Sequence, residues 1–364
     1  LAARAVREGH LSRGLAKLVA QMVSPLAQDD QEVIDAYTAK VTRTGDEQPE
    51  ELIGDWKALF TDVHGNLDKS KFRVDTFVPK NGDDQPTDTL NYVVRTLDQT
   101  TSPGFDCWSN AILRRLPDLS FLQPVLAIFF QYDDADRLRD DHPFERRLHE
   151  ALISVRGVAL NKDPTGSRVD VRPIGVPSAL RQIAISCLLK QADDVSPVLL
   201  ETYRQYGLAQ NGTLFAYQLI RSSLEGLIAA GRRCGALVSD MASGYNRLFR
   251  KTGLHGCIDL MPSATILFHF LNSIPHTANL YKSGKSDGMP VARVPIQDGV
   301  SCQGCVFGPL AFSFGMAKLT ADVLKMCQTG STVDSSMVSS RVTILRSSLN
   351  SSAVSPAAAD AAFA

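Results

Sequence analysis

Apolar residues at Leu11, Leu15, Leu18 and Met22 recur at helical spacing and predict a helix over residues 1–27. A polar, acidic stretch follows to about Gln48, and helical patterns resume over residues 50–60 and 89–97. Between these two, Pro79 to Thr87 is rich in Gly, Asp and Pro and reads as a loop. From Thr101 the pattern is more regular. Ser102-Pro-Gly104-Phe-Asp106-Cys-Trp108 is a turn that opens a helix over residues 109–116. Residues 124–131 are apolar and residues 133–150 strongly charged. Residues 155–161 and 169–176 read as two strands around the turn Asp163-Pro-Thr-Gly166, and so as a hairpin. Ser178 stands as the N-cap of a helix over residues 178–192. A second helix covers residues 214–230, and a short buried strand, residues 236–239, ends on Asp240. Residues 279–282 and 291–296 flank Gly284 to Gly288 as a second hairpin. A last apolar helix starts at Gly308 and reaches about Met326. After Gln328, Ser, Ala, Thr and Val dominate, the composition expected of a disordered tail. There are no internal repeats.

With 364 residues the chain is long enough for a large core and two or three subdomains. Its 44% hydrophobic and 21% charged residues are those of a globular protein. No apolar run approaches the ~18 residues of a membrane span, and no signal segment opens the chain. No membrane partner is expected, and the expected location is intracellular, in nucleus or cytoplasm. Seven scattered cysteines form no disulfide framework, which fits a reducing compartment. Cys302 and Cys305 form a lone CxxC, without the second ligand pair that a structural zinc requires. The net charge of −1 does not mark a general nucleic-acid binder. Residues 151–255, however, hold 13 Lys and Arg against 7 Asp and Glu, while acidic residues gather near the N-terminus. A basic middle behind an acidic front fits a nucleic-acid channel confined to one part of the fold.

Three segments carry candidate chemistry. The first is Leu160-Asn-Lys162 followed by Arg172-Pro-Ile-Gly-Val. The second runs from Asp240 through Tyr245 and Asn246 to Arg250. The third runs from Gly299 through Gln303 and Gly304 to Gly308-Pro309. In this order they look like the nucleotide-binding half of a template-directed polymerase. Such enzymes hold the attacking and leaving oxygens of a nucleotide between two Mg²⁺ ions, so carboxylates must converge at strand ends. Asp240 has that setting, and the Met241 carbonyl completes a coordination site beside it. Taken alone, such an Asp is more often a turn or helix cap. Tyr245, five residues on, is placed to lie beneath the sugar and exclude a ribose 2′-hydroxyl; otherwise it is a core aromatic. Arg172 and Lys162 have the reach and charge for a triphosphate, or form a solvated basic hairpin. Gln303 would touch sugar and base, while Gly304 lets the backbone approach; the alternative is an ordinary loop-to-helix turn.

The span from about Leu90 to Met326 resembles the reverse-transcriptase domain of non-LTR, LINE-like retrotransposons. Ser102 to Trp108 resembles that family's Pro-Gly-x-Asp-Gly-Trp segment. Lys162 and Arg172 fall in its Leu-Asn-Lys and Arg-Pro-Ile-x-Val pair. Asp240 through Arg250 resembles Asp-x-x-x-Ala-Phe-Asn-x-x-x-Arg, with Gly244 for Ala and Tyr245 for Phe. Gly299 through Leu310 resembles Gly-Val-x-Gln-Gly-Asp-Pro-Leu-Gly-Pro-Leu. The resemblance implies an α/β (α+β) fold with right-hand-like fingers and palm and a missing or incomplete thumb. Its expected divisions are a mostly helical linker region (1–100), fingers and the start of the palm (101–235), palm (236–327) and tail (328–364). It implies RNA-directed DNA synthesis with two Mg²⁺ ions, and as partners an RNA template, a DNA primer and deoxynucleoside triphosphates.

Two departures qualify the activity. Cys305 and Val306 replace the family's Asp-Pro, which is expected to remove a charge beside the nucleotide and loosen the turn. No Asp-Asp hairpin follows Pro309, so the chain reads as truncated or frame-shifted before that motif; its opening on Leu1 also suits a fragment. Tyr132-Asp133-Asp134 follows an apolar run, as a catalytic hairpin would, but precedes the first palm motif by over a hundred residues. A charged run follows it in place of a returning strand. The alternatives are a degenerate polymerase fold that only binds nucleic acid and a viral RNA-dependent RNA polymerase.

Overall fold

The computed structural model describes residues 25–42, 56–66, 89–99, 101, 103–131, 143–162, 169–192, 194–203, 205–209, 211–231, 244–282, 288–296, 299 and 304–329. Residues 1–318 form one compact unit. Residues 319–364 form another, whose described part continues the last helix.

Helices α1 (Gln31–Val41), α2 (Trp56–His64), α3 (Thr89–Thr96), α4 (Asn110–Leu113), α5 (Leu122–Gln131) and α6 (Pro143–Ile153) precede the first strand. Strands β1 (Val155–Asn161) and β2 (Val171–Pro177) follow, then α7 (Ala179–Gln191), α8 (Ser196–Glu201) and α9 (Gly212–Ala229). Next come α10 (Gly244–Arg247), α11 (Arg250–Leu260) and α12 (Thr265–Asn272), strands β3 (His276–Leu280) and β4 (Ala292–Ile296), and α13 (Gly308–Thr329). The described fold thus mixes helices with one four-stranded sheet, in the order β2-β1-β3-β4. β1 pairs antiparallel with β2 and parallel with β3, and β4 closes the far edge antiparallel to β3.

The expected first hairpin is present, with Leu160 opposite Arg172. Prolines fall on its edge strand, where a missing N–H is tolerated. Pro173 lies opposite Ala159, whose own backbone groups turn the other way. Ala159 donates to Gln28 Oε1 at 2.8 Å and accepts from Leu26 N at 3.0 Å. The buried Gln28 amide therefore completes the side of β1 that β3 leaves unpaired. Ser178 caps α7 as expected, accepting from Arg181 N at 3.1 Å.

Several expectations change. Residues 25–27 are not helical, and Pro25 forms a β-bridge with Leu160. The acidic stretch after them contains α1, capped by Asp30, with Val33, Tyr37 and Val41 buried. The described part of residues 1–100 is no detached linker: Tyr37, Trp56, Phe60, Leu90 and Val94 belong to the same core as Phe129, Ile183 and Phe268. The helix expected over 50–60 runs from Trp56 to His64, and the one over 109–116 is a single turn, Asn110–Leu113. The apolar run before Tyr132 is helix α5, so Asp133 and Asp134 follow a helix end and no hairpin strand; they themselves lie outside the described residues.

The turn that resembles the family's Pro-Gly-x-Asp segment is docked where β2 meets α7. Asp106 Oδ2 accepts from Ala179 N at 3.0 Å, at the helix N-terminus, and Pro103 O accepts from Arg156 Nε at 3.1 Å. Burial raises the Asp106 carboxyl, and its backbone hydrogen bonds only partly offset that. Helix α9 leaves apolar side chains exposed, among them Leu214, Phe215, Tyr217 and Ile228. Among the described residues no helix is long and apolar enough to cross a membrane.

Candidate functional site

The site is built on β2. Val171, Pro173, Gly175 and Pro177 are buried, so the alternate residues Arg172, Ile174 and Val176 share the other, more open face. Arg172 is exposed there. Lys162 lies just past β1, its N–H donating to Asp170 O at 2.8 Å and its ammonium 3.6 Å from the Asp170 carboxylate. Lys40 shares that carboxylate at 3.3 Å. All three groups are more than a third exposed, so the pairing contributes at most about 1 kcal/mol and yields readily to a phosphate.

Short helix α10 carries Tyr245 and Asn246. The half-buried Tyr245 ring sits 5.1 Å from Phe312 on α13, tilted by 46°. Gly299 lies against Asn246 so closely that a Cβ would stand 2.5 Å from its backbone, and its φ of +91° suits only glycine without strain. Arg250, at the start of α11, holds this junction from beneath. It is 1% exposed, and its guanidinium donates to Gly299 O at 3.1 Å, Ile296 O at 2.9 Å, Asn272 O at 3.3 Å and Ile274 O at 3.2 Å. The family-like Arg is therefore a structural clamp, a role its spacing alone does not reveal.

Gly304 brings the third segment to β2. Its φ is +112°, and a Cβ there would meet Gly175 O at 2.7 Å and the Ile174 side chain at 3.3 Å. Ile174 and Arg172 are on one face of β2, so Gly304 lies over the strand two residues from Arg172. Cys305, next in the chain, turns inward. It is 4% exposed, and its Sγ lies 3.5 Å from the Arg181 guanidinium. The side chain at position 305 thus faces a buried arginine and not the exposed Arg172 face, where the sequence expectation had put its charge. The Cys305 carbonyl also accepts from Gly308 N at 3.0 Å, joining the loop to the first turn of α13.

Behind this wall the core is basic. Burial holds His276 well below the usual imidazole range, with the Arg250 and Arg181 charges adding to the effect. His149 is pushed down to about 4, chiefly by burial, although it bonds the Phe270 carbonyl. Sequence reading passed over Arg181, His149 and His276; nothing in their spacing marks them as buried.

The structure seats Gly304 on β2 two residues from Arg172, with Lys162 at the open end of the same hairpin, and separately seats Gly299 on Asn246, next to Tyr245. Asp240, Met241 and Gln303 lie outside the described residues, as does Cys302. Among the described residues no three His, Cys, Asp or Glu side chains converge. The described groups at the hairpin are the Arg172 guanidinium, the Lys162 and Lys40 ammonium groups and one carboxylate, Asp170. Among the described residues this set suits phosphate and supplies fewer carboxylates than a pair of Mg²⁺ ions needs.

No protein-family model matches the chain, and no curated protein matches it.

Proposed function

We propose that this chain is the nucleotide-gathering portion of a reverse-transcriptase-like polymerase. It holds a deoxynucleoside triphosphate against a DNA primer end paired to an RNA template. As given, it binds without turning the nucleotide over. The observation that carries this reading is the seating of Gly304 on Ile174 and Gly175, together with that of Gly299 on Asn246. The segment that holds both glycines thus touches, at its two ends, each of the other segments with a likeness to a polymerase motif, which supports the reading.

In this reading each group has a chemical task. Arg172 offers a planar fork to phosphate oxygens, and Lys162 releases Asp170 to add a point charge. Tyr245, packed against Phe312, would lie beneath the sugar. Gly304 lets backbone come close to the bound nucleotide. Because the described residues supply too few carboxylates for a two-ion centre, no catalytic step is assigned.

The test uses a fluorescently labelled DNA primer on an RNA template, with Mg²⁺ and each deoxynucleoside triphosphate in turn. The expected result is binding that tightens with the nucleotide complementary to the template base, and no primer extension. Extension would contradict the binding-only account. Indifference to which nucleotide is present would contradict the pocket.

A further inference from the structure

Arg181 is a buried cation with no counter-charge among the described residues. It is 1% exposed, yet its partners are the Ile153 carbonyl at 2.9 Å and the Cys305 thiol at 3.5 Å, and its Nε has no partner. A thiol is a weak acceptor, and a buried guanidinium calls for a carboxylate. Among the described residues no carboxylate pairs with it. The neighbouring buried groups, Arg250 and His276, add positive charge or none. Cys305 immediately follows Gly304, the residue seated on β2, so whatever Arg181 grips at position 305 sets the height of that loop over the Arg172 face.

We propose that Arg181 is a positioning residue for Gly304 on β2, acting through the side chain at position 305, and that this contact is built for a carboxylate, with Cys305 filling it incompletely. The positioning half of this inference rests on the nucleotide-pocket reading. The charge half does not. Asp is close to Cys in volume and brings an acceptor that pairs with a guanidinium by charge-assisted bonds.

The test compares Cys305→Asp with Cys305→Asn, its uncharged counterpart, in the full chain with Arg181 intact. Cys305→Asp is expected to raise the thermal midpoint at pH 7.5, and Cys305→Asn to leave it unchanged or lower it. Well below the midpoint, where stability no longer matters, Cys305→Asp is also expected to tighten deoxynucleoside triphosphate binding to the primer–template complex at least threefold relative to Cys305→Asn. A midpoint that falls with Asp, or rises equally with Asn, overturns the charge argument. A raised midpoint with unchanged affinity overturns the positioning role. Absence of triphosphate binding in every variant, with the midpoint shift intact, instead refutes the nucleotide reading and with it the positioning role.

Discussion

Arg250 donates to the carbonyl oxygen of Gly299 at 3.1 Å, joining the helix after the Asp240 segment to the start of the Gln303-Gly304 loop across 49 residues of chain. The same guanidinium caps carbonyls from α12, from the turn before β3 and from β4. One side chain thus sets the position of two candidate site segments relative to the sheet.

Removing that clamp orphans four carbonyls. Arg250→Ala is expected to lower stability by about 3–5 kcal/mol. Arg250→Lys, a point charge without the planar fork, is expected to recover only part of the loss. Chemical denaturation of the two variants checks this. A loss below about 1 kcal/mol for Arg250→Ala would mean that the carbonyls find other partners.

Gly304→Ala forces a side chain onto a backbone with φ +112° and toward Gly175 O. The expected cost is about 1–3 kcal/mol of stability. Gly226→Ala gives the opposite sign. Gly226 lies inside helix α9, and a Cβ there meets nothing within 4 Å, so the variant is expected to gain about 0.5–1 kcal/mol. Denaturant midpoints of the two variants should therefore move in opposite directions. A shared direction would contradict the backbone argument.

The buried histidines set an acid limit. His149 is held down to about 4 and His276 well below its ordinary value, so both stay neutral in the fold while unfolded imidazoles protonate near about 6.5. Below that pH the unfolded chain binds more protons than the folded one. Stability is therefore full above about pH 6.5 and falls as the pH drops, with each histidine removing up to about 1.4 kcal/mol per pH unit. The contribution of His149 levels off near about 4. Denaturation midpoints should hold from pH 7.5 to about 6.5 and fall from there to pH 5, and His149→Gln should flatten that fall. An unchanged midpoint across that range would contradict the burial of these groups as neutral species.

The two hairpins, the Ser178 cap and the long helices α9 and α13 were legible in the sequence, because alternation, turn residues and caps act locally. The second hairpin still begins three residues before its expected start, at His276, a polar residue buried on its inward face. Helix α1 was hidden because only Val33, Tyr37 and Val41 are buried among polar neighbours, too narrow a stripe to stand out. Helix α11 contains Gly253 and Gly256, poor helix formers on propensity. Gly256 is explained only by packing, since a Cβ there would stand 2.2 Å from the Phe314 carbonyl oxygen. The run at α5 lacked a period that separates helix from strand. For the candidate site, the sequence named the glycine segment that rests on β2 at Gly304 and on Asn246 at Gly299. It did not reveal that Arg250 faces inward or that Arg181 reaches Cys305, because burial of a long polar side chain is decided by tertiary packing.

The most direct test is to titrate the matched deoxynucleoside triphosphate into the chain bound to primer and template, comparing the parent with Arg172→Ala and, as a remote control, Arg146→Ala. Losing a charge-assisted phosphate contact of about 1.5–3 kcal/mol is expected to weaken binding roughly tenfold to a hundredfold in Arg172→Ala. Arg146→Ala, which breaks an exposed pair with Glu150 on helix α6, is expected to match the parent. Equal affinity in all three proteins would show that the β2 face beneath Gly304 does not hold the triphosphate, and would contradict the account at its centre.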